Sequence, residues 1–140
     1  MASGAAELKA KLSGLALRAD QLEHAFADAA EQFNEAAEEH FASEGSGGWP
    51  PWAASTAARA GGGSLMVKDG DLLASLTDQG HRGHILRIDR QTLTVGTRWP
   101  VASIHKSSSG RKLPQRDPMP PSAALKERWL ETLRAYFLDD

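Results

Sequence analysis

A chain of 140 residues has room for one modest core, and a formal charge of −2 with mixed signs gives no reason to expect a polyanion partner. It carries no polybasic tail for a membrane surface and no cysteine, which excludes disulfide frameworks and thiolate zinc sites. The apolar runs are too short to span a bilayer, and Met1-Ala2-Ser3-Gly4 lacks the pattern of a signal peptide. The expectation is a soluble protein that works where it is made, or in a particle assembled there.

From about Ser3 to His40 the chain is rich in alanine and glutamate and free of proline. Leu8, Leu12, Leu15, Ala19, Leu22, Phe26, Ala29, Phe33, Ala37 and Phe41 recur in steps of three and four, which places one apolar stripe along a helix. Ser3 is the expected N-cap, and Gly45 with Gly47 the stop. At 1.5 Å per residue such a helix would span about 55 Å, more than a small core can cover. Either Ser13-Gly14 divides it, or its N-terminal part packs on a neighbouring subunit; the second is the preferred expectation. This arm is taken as residues 1–44, and residues 45–140 as a small α+β domain.

The helix gives way to Gly45-Ser46-Gly47-Gly48-Trp49-Pro50-Pro51-Trp52. Proline fixes φ and removes an amide donor, so the chain must turn here, and the rigid turn aims two large aromatic faces. Trp49 and Trp52 are read as hinge or core anchors in preference to exposed interface residues. Ala53 to Ala60 reads as a short helical turn, Gly61-Gly62-Gly63 as a mobile loop and Leu65-Met66-Val67 as a strand. Asp69-Gly70 makes a turn, and Asp71 to Leu76 a short helix capped by Asp69 or Asp71. Two strands follow, His84 to Ile88 and Thr92 to Val95, joined by Asp89-Arg90-Gln91 and ended by Gly96. Pro100 to His105 suits another helical turn, and Ser107 to Pro121 a polar, proline-bearing loop with a binding role. A helix opens at Ser122, with Leu125, Trp129, Leu130, Leu133, Tyr136 and Phe137 at helical spacing. The fold class is α+β: a long N-terminal helix, a small antiparallel sheet with short helices, and a C-terminal helix.

In their order these markers resemble the phage virion morphogenesis family, the tail-completion proteins of Mu-like phages. His40-Phe41-Ala42-Ser43-Glu44-Gly45 and Gly48-Trp49-Pro50-Pro51-Trp52 fill the place of that family's aromatic-Gly-x-x-Trp turn, and Ser55-Thr56 follows it. Leu65-Met66-Val67-Lys68-Asp69-Gly70-Asp71-Leu72, with Ser75 and Leu76, resembles the apolar segment before Asp-Thr-Gly-x-Leu. Val95-Gly96-Thr97 matches the end of the hairpin, Trp99, Ala102 and His105 the aromatic-Ala-x-x-His segment, and Pro114 with Arg116 the Pro-x-Arg loop. The chain departs from the pattern at Asp69-Gly70, at Lys106 after the histidine and at Asp117-Pro118-Met119 after the arginine.

The resemblance implies a non-enzymatic virion assembly protein of the tail-completion or head–tail joining kind, with no cofactor or metal. Its partners would be tail-tube or head–neck proteins and further copies of itself, as a ring, with DNA only as cargo passing through. It implies a location in the virion, assembled in the host cytoplasm. The residues it marks as interface or structural anchors are Trp49, Pro50, Pro51, Trp52, Gly70, Leu72, His105 and Arg116.

Sharper chemistry has plain competitors. His81 and His84, with His105, would need to converge on a metal with further ligands, and nothing in the spacing fixes a third. Asp69, Asp71 and Asp78 suit turns and helix caps at least as well as a carboxylate cluster. A small metal-dependent hydrolase or nuclease built on these residues is the first alternative, and a nucleic-acid-binding regulator the second. Lys106, Arg111, Lys112 and Arg116 form a small basic loop that suits an acidic protein surface, passing DNA or plain solvent. Arg116, between prolines, is expected to brace its loop or to pair across subunits.

Overall fold

The computed structural model describes residues 4–51, 70–102 and 116–138. Six elements follow in chain order: α1 (Gly4–Asp20), α2 (Glu23–Ala42), α3 (Asp71–Thr77), β1 (His84–Ile88), β2 (Leu93–Thr97) and α4 (Ser122–Leu138). This is the expected α+β arrangement.

The N-terminal helix is interrupted, and not at Ser13-Gly14, which stays helical. The break falls at Gln21-Leu22, where tertiary partners capture the backbone. The Leu22 amide donates to Arg90 O in the hairpin turn at 3.0 Å, and the Tyr136 hydroxyl donates to Gln21 O. The first bond takes the Leu22 amide out of the helical ladder, and the second tethers the adjoining Gln21 carbonyl to α4.

α2 is the central element, packed by α4, α3 and both strands. Its buried face is Ala25, Ala29, Ala30, Phe33, Ala37, His40 and Phe41. The alanines let neighbours approach the helix backbone: the Trp129 indole donates to Ala29 O at 2.9 Å. One turn away Gln32 Nε2 donates to Thr132 Oγ1 at 2.7 Å, and Arg128 pairs with Glu35 at 2.8 Å. The core joins Phe33, Ala37 and Phe41 to Trp49, Leu72, Leu76 and Leu125. Leu130, at helical spacing on α4, faces outward instead.

The hairpin is antiparallel, with His84 opposite Thr97 and Ile88 opposite Leu93. Its turn closes by Asp89 N–H to Thr92 O at 2.8 Å. β2 runs through Gly96 to Thr97 rather than ending at Gly96, because Thr97 is still paired to His84. Gly70, at φ +81°, takes the N-cap position of α3, and Asp71 is the first residue of the helix rather than its cap; Asp69 lies outside the described residues. A helical turn does begin at Pro100, as expected.

Candidate functional site

α2 ends in a left-handed turn. Glu44, Gly45, Ser46 and Gly47 have φ of 51°, 70°, 58° and 79°. The turn satisfies the orphan carbonyls of the helix end: Gly45 N–H donates to His40 O at 2.8 Å and Glu44 N–H to Phe41 O at 3.1 Å, and Trp49 N–H then closes onto Glu44 O at 3.1 Å. Gly45 is required twice over. Its positive φ is one that a side chain disfavours, and a Cβ there would lie 2.5 Å from Trp49 Cδ1. The expected glycine stop is therefore also the seat of the indole.

Trp49 is buried, as expected of an anchor. Its ring meets His40 and Phe41 edge to face, at centroid distances of 5.1 and 5.2 Å. Its Nε1 donates to Asp117 O at 3.2 Å, and His40 Nε2 is bonded to the same oxygen at 2.7 Å. A carbonyl only accepts, so the His40 proton sits on Nε2 and Nδ1 is left as an acceptor. Nδ1 is buried without a hydrogen-bond partner among the described residues. The Asp117 side chain turns the chain onward, accepting Met119 N–H at 3.0 Å.

Arg116 completes the arrangement from the same segment. It is only 6% exposed, and it donates through Nε to Pro50 O at 2.7 Å and through Nη2 to Pro51 O at 3.1 Å. Of the two expected roles, bracing its loop is the one the geometry carries out. The prolines are suited to this: their carbonyls stand on fixed φ angles, and the planar guanidinium fork reaches two neighbouring acceptors together. Burial lowers the Arg116 pKa and the nearby Glu44 carboxylate opposes that shift. The guanidinium stays charged at neutral pH. The result is a clamp in which Trp49-Pro50-Pro51 and Arg116-Asp117 are bonded in both directions.

The other anchors divide. Gly70 and Leu72 serve α3, Gly70 at its N-cap and Leu72 in the core. Trp52 and His105 lie outside the described residues, as do Asp69, Pro114 and the basic residues Lys106, Arg111 and Lys112. So do the expected turn at Ala53–Ala60, the loop at Gly61–Gly63 and the strand at Leu65–Val67.

His81 and His84 are drawn into separate bonds. His81 Nδ1 accepts Gly83 N–H at 3.0 Å, so its Nε2 donates to Asp71 Oδ1, also at 3.0 Å. His84 Nδ1 donates to Ser75 O at 3.1 Å. Both ring nitrogens of His81 are thus engaged within the fold. Among the described residues no three or more His, Cys, Asp or Glu side chains are grouped to hold a metal. Asp78 does turn chemistry, accepting Gly80 N–H at 2.8 Å.

Sequence reasoning missed one polar chain. Trp99 N–H donates to Thr97 Oγ1 at 2.9 Å, Thr97 Oγ1 to Ser75 Oγ at 2.6 Å, and Ser75 Oγ to Leu72 O at 2.7 Å. Each hydroxyl proton is donated to a neighbour, so the chain fastens the hairpin to α3, with the buried Ser75 hydroxyl aimed at the Leu72 carbonyl. It missed His40 and Asp117 as clamp members too. The signal for His40 was available: it stands seven residues after Phe33 and beside Phe41, on the buried edge of the stripe.

No family model, curated protein or solved structure matches the chain.

Proposed function

We propose that this chain is a structural protein of phage virion assembly, acting in tail completion or head–tail joining by binding and not by chemistry. The observation that carries the reading is the clamp. The tryptophan–proline turn and the arginine loop, two markers of the resemblance that lie far apart in sequence, hold one another through Arg116–Pro50, Arg116–Pro51 and Trp49–Asp117. Such a clamp gives a small protein a rigid junction from which neighbouring segments meet a partner surface. The partners are tail-tube or head–neck proteins and further copies of this chain. Many weak repeated contacts then make a stable joint through effective concentration.

The test is addition of the purified chain to tail tubes assembled without it, followed by sedimentation and electron microscopy. The chain is expected to co-sediment and to decorate one tube end. Tubes that stay bare, or that are decorated along their whole length, would overturn the reading.

A further inference from the structure

Two surfaces of the described chain match one another but do not meet within one molecule, where the leucines of the first stay exposed. The first is α1, none of whose residues is buried; Leu8 and Leu12 are 58% and 57% exposed, and Leu15 is exposed as well. At about 100° of rotation per residue these leucines fall on one narrow stripe, with Lys9 on one flank and Lys11 on the other.

The second is an open groove of about 640 Å³ between the C-terminal half of α2 and the start of α4. Ala36, Ala42, Pro121, Ala124 and Leu125 give it small apolar walls, and Glu39 stands in its side; Arg128, also in the lining, has its charge paired with Glu35 at 2.8 Å. The helix forming that side is acidic throughout: α2 carries Glu23, Asp28, Glu31, Glu35, Glu38 and Glu39 and neither lysine nor arginine. A leucine stripe flanked by lysines is the complementary occupant in shape and in charge.

The stripe does not serve its own groove. Arg18 Nη1 donates to Phe137 O at 2.6 Å, which fixes the end of α1 to the C-terminal end of α4. The groove lies at the other end of α4, and Ala124 and Phe137 are about 20 Å apart along the helix axis.

We propose that the α1 leucine stripe of one copy docks in the α2–α4 groove of a second copy, with Lys9 and Lys11 against the acidic side of α2. Donor and acceptor surfaces differ, so the contact is head to tail, and repetition closes a ring or extends a chain. The purpose of this contact rests on the assembly reading above; the contact itself rests only on this chain.

The experiment is light scattering after size exclusion on the full chain, its variants and their mixtures, with circular dichroism to check folding. Wild type is expected to form oligomers as concentration rises. The Leu8→Asp/Leu12→Asp double variant loses the stripe and Ala124→Arg blocks the groove, and each is expected to be a folded monomer. Mixed, they retain one intact stripe and one intact groove, and a 1:1 dimer that grows no further is expected. A wild type monomeric at every concentration, an Ala124→Arg variant that still oligomerises, or a mixture without dimer would each overturn the proposal. Tail-tube binding is scored separately: self-association without tube binding leaves this contact standing and removes the assembly reading, and tube binding by a strictly monomeric chain does the reverse.

Discussion

The Trp49 indole and the His40 imidazole donate to one acceptor, the carbonyl oxygen of Asp117, while their rings pack edge to face. The two side chains thus fasten the end of α2 to the segment that leads into α4. Trp49→Ala removes a buried aromatic and one of these bonds, with an expected loss of about 3–5 kcal/mol. His40→Ala leaves the indole bond in place, so about 1–2 kcal/mol is expected. His40→Gln, whose amide can reach the same oxygen, should recover part of that loss. Urea denaturation of the three variants checks the order, and equal midpoints for Trp49→Ala and wild type would refute it.

Gly45 and Gly47 have nearly the same φ, +70° and +79°, yet different surroundings. A Cβ on Gly45 runs into the Trp49 ring, whereas one on Gly47 meets nothing within 4 Å. Gly47→Ala is therefore expected to cost only the left-handed conformation, about 1 kcal/mol. Gly45→Ala must also displace a buried indole, for a total of about 2–4 kcal/mol. The near-ultraviolet circular dichroism of the tryptophans should change for Gly45→Ala alone.

The difference between these glycines marks how far sequence reached. The α2 stop was legible because glycine and proline punctuate the backbone locally. The fold class was legible from the step of the apolar residues, and Trp49 and Arg116 from their rigid neighbours. The interruption at Gln21-Leu22 was not, because no local residue forbids a helix there. Its causes are an Arg90 carbonyl and a Tyr136 hydroxyl that arrive only when the hairpin and α4 have docked. The Ser75–Thr97 bond was hidden for the same reason: each residue has a local backbone partner, and the two hydroxyls meet only when β2 lies on α3. The leucines of α1 fit the stripe as well as Phe33 does, and periodicity cannot tell a face covered within the chain from one left exposed.

Arg116 is buried, and two carbonyls depend on its fork. Arg116→Ala is expected to cost about 2–3 kcal/mol, since hydrogen bonds to a charged group exceed neutral ones. Arg116→Lys keeps the charge but not the planar fork, so it should recover less than half of that. Thermal unfolding distinguishes the two, and an Arg116→Ala protein that melts with wild type would mean that the clamp contributes nothing to the fold.

Tyr136 holds the helix break through its hydroxyl on Gln21 O, and Arg18 holds the end of α1 through Phe137 O. α1 buries no side chain, so these polar bonds and the Leu22–Arg90 pairing carry much of its attachment. Tyr136→Phe removes one of them with little change of shape, for about 1 kcal/mol. That energy acts on the local opening of α1 rather than on global unfolding, since the core residues lie elsewhere. Cleavage by trypsin after Arg18 tracks the open population, so it should speed up about fivefold. The melting temperature of the remainder should stay where it was. Unchanged cleavage would mean that the hydroxyl does not hold the break, and a large fall in melting temperature would mean that α1 and the core open as one unit.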